Sequence, residues 1–286
     1  MRVDGWIEEL AAQAALGTQA SRIVQVLAAK PRFSSYASAR EIADSAGVNI
    51  STVTRTAQNL GFSGWPSLQL ELRNRFLASL TASEMLADHA DPSADPLTAA
   101  FQRDAENLAL AMRTIDFGTL RTIAETIAGA RRTLVIGSGS YLAPVVALAH
   151  VAAIMGLDVH WDPMGGTHRV NLAARLGPGD CLVTFNVWRT PREILEITRF
   201  AHERGATTCV ITDRIGSPIT PVGDHVLVVP SEGVTAFPSL TASMSVVHAL
   251  LGHIALQDVE RSRATALEVE DVWRRLDLMV DQPDPG

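Results

Sequence analysis

The stretch Arg40–Phe62 carries the residue spacing of two short helices joined by a tight turn, and this spacing constrains the fold more than any other feature of the chain. Ala43 is small enough to let a second helix pass close to the first, and Gly47, four residues later, can take the positive φ of the turn. Val53 is placed to fill the angle between the two helices. The pattern predicts a helix-turn-helix.

The second helix of this motif has a polar face that does not resemble a core face. Asn49 is a good N-cap, and the following residues are small or polar with one guanidinium, Arg55. The residues predicted to meet DNA bases or phosphates are Arg40, Asn49, Ser51, Thr52, Thr54, Arg55 and Gln58. The alternative is an ordinary helical hairpin whose Ala and Gly spacing arises by chance in an alanine-rich chain.

The size and composition of the chain favour two domains and argue against a membrane protein. It has 286 residues, of which 47% are hydrophobic. It has no uncharged apolar run of about 18 residues, the length that spans a bilayer. The first ten residues, MRVDGWIEEL, are acidic where a secretory signal would be basic and then apolar. We therefore expect a cytoplasmic protein with no membrane partner.

Charge is divided unevenly along the chain. The net charge is −7, yet residues 1–80 hold eight basic and six acidic residues, whereas the remainder holds 16 and 25. A domain that reads DNA needs only local positive charge near the phosphates. The side chains available for this are Lys30, Arg32, Arg40, Arg55, Arg73 and Arg75.

The periodicity of apolar residues divides the chain into two parts. It predicts five helices in the first 80 residues, the last of them over residues 68–80. The next stretch, residues 81–96, has two prolines and little periodicity, which indicates an interdomain linker or a loosely held helix. The predicted domains are therefore 1–80 and 97–286, joined by a linker at 81–96.

The second part alternates apolar runs of strand length with helical segments. Strands are predicted at 133–137, 157–161, 180–185, 207–212 and 225–229, with helices at 97–112, 117–130, 142–155, 192–204, 240–257 and 263–278. This alternation is typical of a doubly wound parallel sheet. The predicted fold class is therefore α + α/β, an all-helical helix-turn-helix domain followed by a doubly wound parallel-sheet domain. Ligands of such sheets bind beyond the carboxyl ends of the strands.

No cofactor and no metal site is predicted. Cys181 and Cys209 lie in apolar runs, which predicts buried reduced thiols on strands. His248 and His253 are five residues apart, so they do not share a helical face as two metal ligands would. The loop after residue 137 lacks the third small residue of a dinucleotide-binding fingerprint.

Several motifs together resemble the RpiR family of bacterial transcriptional regulators (also called RpiR/MurR), over nearly the whole chain. The sequence after the second motif helix, Leu60-Gly61-Phe62-Ser63-Gly64-Trp65, is similar to the family's Leu-Gly-Phe, turn and aromatic residue. The second half resembles its SIS (sugar isomerase) domain at 134–139, 179–183, 204–206, 211–213, 217–218 and 229–232. The resemblance implies a DNA-reading domain joined to a domain that senses a metabolite.

One loop departs from the family pattern. SIS domains that hold a sugar phosphate usually carry a Ser-x-Ser-Gly-x-Ser/Thr loop, where hydroxyls and backbone N–H groups surround the phosphate. Here the stretch is FNVWRTPR, residues 185–192, in which Trp188 stands where Gly would let the backbone approach an anion. Thr190 keeps a hydroxyl, and Arg189 and Arg192 partly compensate because guanidinium groups bind carboxylates and phosphates.

The candidate effector site lies in the loops that follow the strands. The predicted effector-binding residues are Ser138, Ser140, Tyr141, Asn186, Arg189, Thr190, Ser231 and Glu232. The alternative is that they are helix caps and surface loop residues. His168 could enter the same pocket from a neighbouring loop, or could be a solvated histidine.

The expected function is transcriptional regulation, in which a small, anionic metabolite, a sugar phosphate or another anion, changes binding to a palindromic DNA operator. The partners are then double-stranded DNA, the effector and further copies of the chain in a homodimer or homotetramer. The enzyme alternative is a sugar-phosphate isomerase with an appended helical domain, in which Glu232 or His168 would transfer a proton. A third alternative is a scaffold protein that uses the helical domain only for dimerisation.

Overall fold

The amino-terminal part of the molecule is helical. The computed structural model of the chain describes residues 3–89 and 95–280. Before the gap, the helices are α1 Val3–Ala12, α2 Thr18–Ala29, α3 Pro31–Tyr36, α4 Ala39–Ala46, α5 Ile50–Asn59, α6 Trp65–Ser79 and α7 Ala82–His89. Helix α3 is an addition to the five helices that the sequence predicts, because Pro31 starts a new helix as well as ending the previous one.

Helices α4 and α5 form the predicted helix-turn-helix. Gly47 ends α4 with φ 64° and ψ 43°, a left-handed conformation that glycine adopts without strain. Ser38 and Glu41 cap the start of α4 reciprocally. The Asn49 side chain accepts a hydrogen bond from the Ser51 backbone N–H at the start of α5. Local capping and one glycine thus fix both ends of the turn.

The helical part has its own apolar core. Val53 and Ala57 of α5 are buried against Ile42 of α4, and Leu68 and Leu72 of α6 belong to the same cluster. Each fully buried aliphatic side chain of this kind contributes about 1.5–3 kcal/mol of transfer free energy. The core therefore holds α5 by its apolar face and leaves the opposite face to solvent.

The described residues of the second part form a five-stranded, all-parallel sheet. Its strands are β1 Thr133–Gly137, β2 Val159–Trp161, β3 Cys181–Asn186, β4 Thr207–Thr212 and β5 His225–Val228, in the spatial order β2-β1-β3-β4-β5. In the register of the central pair, Thr133 lies opposite Cys181 and Gly137 opposite Phe185. The strand order reverses between β1 and β3, which makes the loops after these strands the expected ligand crevice.

Helices cover both faces of the sheet. They are α8 Pro96–Thr114, α9 Phe117–Gly129, α10 Leu142–Ile154, α11 Gly166–Ala173, α12 Arg192–Glu203, α13 Thr241–Gln257 and α14 Val259–Arg275. Alternate residues of β1 face opposite sides of the sheet. Val135 packs with α9, α10 and α13 on one side, whereas Leu134 packs with α11 and α12 on the other. The doubly wound fold predicted from the sequence is confirmed.

The differences from the sequence-based elements are local. Helix α11 is additional to the predicted helices, and β2 is two residues shorter than expected. Part of the predicted linker is helix α7, while residues 90–94 lie outside the described residues. The buried free thiols of Cys181 and Cys209 lie 3.9 Å apart on neighbouring strands, as expected for strand residues.

The loop after β1 packs tightly against Gly137, the last residue of that strand. A Cβ atom there would lie 2.8 Å from the Tyr141 carbonyl oxygen and 3.0 Å from a Val145 methyl group. We expect Gly137→Ala to lower the free energy of unfolding by about 1–3 kcal/mol, the usual cost of overpacking. Denaturant unfolding measures this change.

The matched control is Gly252→Ala in α13, where an added methyl group would meet no atom within 4 Å. Because alanine favours a helix over glycine by about 0.8–1.0 kcal/mol, this variant should be as stable as the unaltered protein or more stable. Equal stability of the two variants would contradict the close approach of the loop at Gly137.

Candidate functional site

The solvent face of α5 gathers the residues predicted to read DNA. Thr52 is half-buried, and the exposed members of the set are Arg40, Asn49, Ser51, Thr54, Arg55 and Gln58. The opposite face of α5 is buried through Val53, Thr56 and Ala57. The predicted residues of α5 other than Thr52 are therefore exposed opposite its buried face, and Arg40 is exposed on α4.

Asn49 and Ser51 are bonded to each other at the start of this face. Asn49 Oδ1 accepts hydrogen bonds of 3.0 Å from both the backbone N–H and the hydroxyl of Ser51. These hydrogen bonds cap the start of α5 and stabilise its first turn. Arg55, one helical turn after Ser51, carries the positive charge of the exposed face.

Arg73 and Arg75 of α6, which the charge distribution suggested for phosphate contacts, lie elsewhere. Their side chains are only 15% and 12% exposed, and they form ion pairs with Glu232 and Glu71. The Arg75 guanidinium also lies 4.1 Å from the centre of the Trp6 ring. That expectation was wrong, because the sequence does not show that this side of α6 meets the sheet domain.

The loop after β1 places a tyrosine in the core beside the crevice. Tyr141 is 5% exposed and its hydroxyl donates a 3.0 Å hydrogen bond to the Ser239 carbonyl oxygen. Burial raises the pKa of the Tyr141 hydroxyl above its ordinary value, so the group remains a proton donor. Ser138 is half-buried and Ser140 is exposed. This loop thus combines one structural hydroxyl with two accessible ones.

The loop after β3 is held by a chain of polar side chains. Asn186 Nδ2 donates to Thr190 Oγ1 at 2.9 Å, and Thr190 Oγ1 lies 3.3 Å from Ser217 Oγ. Trp188 has a positive φ of 68°, which is unusual for a residue with a side chain. The exposed Arg189 guanidinium lies 4.6 Å from the centre of the Trp188 ring. These contacts shape the loop in which the family's phosphate-binding glycine is replaced.

Asp213 supports this loop from the end of β4. Its carboxylate accepts a 2.9 Å hydrogen bond from the Trp188 backbone N–H and contacts Arg214 at 3.1 Å. Burial raises the pKa of the Asp213 carboxyl, although Arg214 acts in the opposite direction. The carboxylate therefore holds Trp188 in its strained backbone conformation at a cost in desolvation.

Glu232, after β5, is the predicted site residue with the largest number of partners in other parts of the chain. Its side chain is 2% exposed and lies 3.1 Å from Arg73 of α6 and 3.4 Å from Arg103 of α8. Tyr36 of α3 donates to the other carboxylate oxygen at 3.0 Å. Asn107 Nδ2 donates to the Glu232 backbone carbonyl at 2.8 Å.

A second buried carboxylate, Glu71 of α6, contacts the loop after β4. It accepts hydrogen bonds from the backbone N–H groups of Ile215 and Gly216 at 2.7 and 3.0 Å. One turn along the same helix, Asn74 donates to the Asp213 carbonyl oxygen. Helix α6, which follows the helix-turn-helix, is therefore bonded to the loops after β4 and after β5.

The space between these loops is closed by apolar side chains from the helical part. Leu77 of α6 and Met85 of α7 form a buried cluster with Ala236, and Trp188 packs against it. The cavity that remains there measures about 20 Å³ and is lined partly by Asn74 and Ser231. Such a volume holds about one water molecule. A metabolite therefore does not fit in this cavity while Leu77 and Met85 keep these positions.

The loop after β2 forms a separate, rigid rim. Asp162 is fully buried and accepts hydrogen bonds from Arg169 Nε at 2.9 Å and from the backbone N–H of Gly165 at 2.6 Å. His168 Nδ1 lies 2.6 Å from Asp162, while its side chain remains 46% exposed. Glu193 accepts a hydrogen bond from the Gly166 N–H at 2.7 Å.

The loops after β1, β3 and β5, which the sequence predicts as the effector site, are held by residues that the sequence pattern did not single out. The missed residues are Glu71, Asn74, Arg103, Asn107, Asp162, Arg169 and Asp213. The available signal was the polar character of α6 and α8 positions that would otherwise be apolar on a buried helix face. Their partners are 125 residues or more away in sequence for Asn107 and Arg103, so periodicity could not reveal them.

Two properties of the described residues bear on other classes of function. Among residues 3–89 and 95–280, no helix is both long and apolar enough to cross a bilayer. The same residues contain no group of three or more His, Cys, Asp or Glu side chains arranged to hold a metal ion.

Comparison with protein families matches both halves of the chain. The model of the helix-turn-helix domain of the rpiR family matches residues 7–79, and the model of the SIS domain matches residues 126–252. The crystal structure of an RpiR transcription factor from Sphaerobacter thermophilus, comprising its sugar isomerase domain, is 31% identical with a TM-score of 0.59. The alignment covers 97% of that chain and 61% of this one. The chain belongs to the RpiR family of transcriptional regulators.

Two further relatives extend the similarity to both domains. An uncharacterized helix-turn-helix-type transcriptional regulator of Haemophilus influenzae is 26% identical over 210 residues, which cover 72% of this RpiR family chain and 73% of the relative. The Vibrio vulnificus NanR protein, solved in complex with ManNAc-6P, is 18% identical with a TM-score of 0.61. It aligns over 96% of this chain and 99% of its own, which shows a shared fold across both domains.

The raised pKa of Asp213 gives this RpiR family chain a testable pH dependence. The folded state binds this proton more tightly than the unfolded state, so the contribution of Asp213 to stability falls as the pH rises from about 4 through the raised pKa. Asp213→Asn keeps an acceptor for the Trp188 N–H but does not ionise. Its stability relative to the unaltered protein should therefore improve with rising pH, measured by denaturant unfolding.

Asp180→Asn is a control with the opposite sign. Arg131, bonded at 2.9 and 3.0 Å, lowers the pKa of the Asp180 carboxyl, so this carboxylate adds stability above its ordinary pKa and loses it in acid. The free energy of unfolding of Asp180→Asn, relative to that of the unaltered protein, should therefore decrease with rising pH. If the free energy of unfolding changes with pH in the same way for both variants and the unaltered protein, the raised pKa of Asp213 and the lowered pKa of Asp180 are both refuted.

Proposed function

We propose that the protein binds a palindromic DNA operator and that a small anionic metabolite in the sheet crevice changes this binding. The observation that carries the proposal is the position of α6, which packs with the helix-turn-helix core and is bonded to two loops of the crevice. In this proposal residues 1–80 read DNA, residues 81–96 connect the domains, and residues 97–286 bind effector and further copies of the chain.

Helix α6 supports mechanical coupling between the two sites. It starts five residues after the end of α5, and Leu68 and Leu72 share a buried cluster with Val53 of the reading helix. Close-packed side chains transmit displacement because interiors contain few voids. A shift of α6 away from the crevice therefore changes the position of α5 relative to the rest of the chain.

Effector binding and the present position of α6 compete for the same space. The crevice contains only about 20 Å³ of free volume beneath Leu77 and Met85. An effector therefore selects an arrangement in which these side chains have moved. Its preference for that arrangement sets the change in operator affinity, because coupling between two sites equals the difference in binding free energy between the two states.

The accessible groups of the crevice favour a small polar anion. Arg189 is exposed next to the half-buried Thr190 in the loop after β3, Ser138 is half-buried in the loop after β1, and Arg73 and Arg103 are paired with Glu232 after β5. Guanidinium groups bind phosphate and carboxylate through paired hydrogen bonds. The complex of NanR with ManNAc-6P places a sugar phosphate on a related fold, which supports including sugar phosphates among the candidates.

A homo-oligomer is part of the proposal because the apolar helix α10 leaves two valine side chains partly exposed. Helix α10 has the sequence LAPVVALAHVAAI and buries only one side, leaving Val146 and Val151 36% and 37% exposed. A helix that is apolar all round is normally covered by protein or lipid. Pairing of two copies would cover this face and present two reading helices to a two-fold symmetric operator.

Replacement of Arg55 tests the assignment of α5 as the reading helix. If Arg55 contacts a base, Arg55→Ala should weaken specific operator binding by about 1–3 kcal/mol, the contribution of one bidentate base contact. An operator selected from random duplexes and a fluorescence anisotropy titration at fixed salt supply the measurement. The preference for one base pair in each half-site should decrease as well.

The control is Arg22→Ala, which removes the same charge from an exposed position on α2. It should cause a smaller loss that is similar for all DNA sequences and decreases at high salt. If Arg55→Ala and Arg22→Ala behave alike, Arg55 does not read a base. Failure to select any duplex would favour the scaffold alternative.

The isomerase alternative has less support in the geometry. Glu232 is held by Tyr36, Arg73 and Arg103, and His168 is held by Asp162 on a separate rim. Glu232 is buried, and His168, although 46% exposed, lies on the other rim and apart from Glu232. An isomerase assay over a panel of sugar phosphates tests this alternative directly, and turnover that Glu232→Gln abolishes would establish it.

A further inference from the structure

Three donors from outside the sheet converge on one buried carboxylate. The carboxylate of Glu232 lies 3.1 Å from Arg73, 3.4 Å from Arg103 and 3.0 Å from the Tyr36 hydroxyl. The donors come from α6, α8 and α3, respectively. Two guanidinium groups and a hydroxyl around one point form a cluster that requires an anion, because buried charges without a partner are strongly destabilising.

The donors are positioned by contacts that do not involve Glu232. The Arg73 guanidinium stacks on the Tyr36 ring at 4.7 Å and its Nε donates to the Ser35 carbonyl oxygen at 3.0 Å. Arg103 is also paired with Glu106 at 2.9 Å, and Glu106 is 65% exposed. The donor arrangement therefore remains in place if the Glu232 side chain leaves, which is the condition for a preformed anion site.

Glu232 lies on a segment without regular secondary structure. Residues 229–240, between β5 and α13, contain no described helix or strand. The same segment lines the 20 Å³ cavity together with Trp188. Trp188 Nε1 is buried without a hydrogen-bond acceptor among the described residues. An incoming oxygen atom would satisfy this donor, whose burial without a partner is costly.

We propose that Arg73, Arg103 and Tyr36 form the subsite for a phosphate monoester group, and that Glu232 occupies it when the phosphate is absent. On binding, the phosphate takes the place of the carboxylate, and the Glu232 side chain turns into the crevice to accept hydrogen bonds from ligand hydroxyls. The inference rests on the proposed function in one respect, that the crevice is the effector site.

The competition selects phosphate over a simple carboxylate. Glu232 is tethered to the site, so an external carboxylate with the same charge competes against a high effective concentration. A phosphate monoester carries about −1.5 to −2 charges at neutral pH and three acceptor oxygens, which match the three donors. The dianion therefore gains more from the two guanidinium groups than the carboxylate that it displaces.

The exchange has a consequence for the helical domain. While Glu232 occupies the subsite, it bonds α3 and α6 to the sheet domain through Tyr36 and Arg73. Once phosphate replaces it, these helices contact the ligand instead of the segment after β5. The same event therefore fills the effector site and removes two of the bonds that hold the helical domain against the sheet.

The test is isothermal titration calorimetry of the full chain with inorganic phosphate as the probe. Glu232→Gln removes the competing carboxylate, so it should bind phosphate at least about tenfold more tightly than the unaltered protein. Adding Arg103→Gln should abolish that gain, whereas adding Arg113→Gln, an exposed arginine on the same helix, should preserve it. Acetate should produce a measurable response only in Glu232→Gln.

A second control separates local competition from a general change in charge. Glu106→Gln removes the same charge from the vicinity of Arg103 but leaves Glu232 in the subsite, so phosphate affinity should change less than about threefold, as for an exposed pair. The proposal is overturned if Glu232→Gln and the unaltered protein bind phosphate equally, or if Glu106→Gln reproduces the full gain.

A thermal unfolding measurement tests the proposal even if Glu232→Gln does not fold. If Glu232→Gln is unstable, Arg103→Gln in the otherwise unaltered chain should lose the phosphate-dependent rise in Tm that Arg113→Gln retains. Equal rises in both variants would reject the subsite. Operator binding is measured separately, in the absence of phosphate. A chain that exchanges phosphate but binds no operator rejects the proposed function, whereas operator binding without phosphate exchange rejects only this inference.

Discussion

The structure depends on the docking of α6 across the carboxyl end of the sheet. Two buried carboxylates secure this docking: Glu71 extends from α6 to backbone N–H groups of the sheet domain, and Glu232 extends from the sheet domain to Arg73. Breaking a buried ion pair by removing one partner typically costs about 3–5 kcal/mol. Each carboxylate is therefore an effective restraint on the helical domain only while its partners stay in place. A ligand that supplies a substitute anion can release one restraint without leaving a charge unpaired.

This docking places the helical domain against the part of the sheet where ligands are expected. The crevice at the strand-order reversal is the place where doubly wound sheets bind ligands, and the two loops there remain polar through Ser138, Asn186 and Thr190. In the proposed function, Leu77 and Met85 of the helical domain close the crevice, and effector binding competes with this position of the helical domain. Regulation of this kind needs no long chain of intermediates, because the proposed effector site and the helical domain share a boundary.

Much of the fold could be predicted from the sequence because its determinants are local. The turn at Gly47 and the cap at Asn49 depend on the conformations of single residues, and the alternation of strands with helices is visible in apolar periodicity. The exposed face of α5 follows from the same periodicity. The short helices α3 and α11 were not predicted, since segments of six and eight residues carry too few periodic positions to stand out.

By itself, the sequence determined the two-part architecture, the polar exposed face of α5 and the loops that surround the crevice. Tertiary structure alone decided the partners of the charged side chains in those loops. Arg73 and Arg75 look equally suited to DNA phosphates in the sequence, yet the packing of α6 directs them to Glu232 and Glu71. Ion pairs of this kind join residues up to 159 positions apart, and their formation depends on how two domains meet. Local propensity and periodicity contain no information about how the two domains pack together, because this packing depends on the complementarity of their complete surfaces.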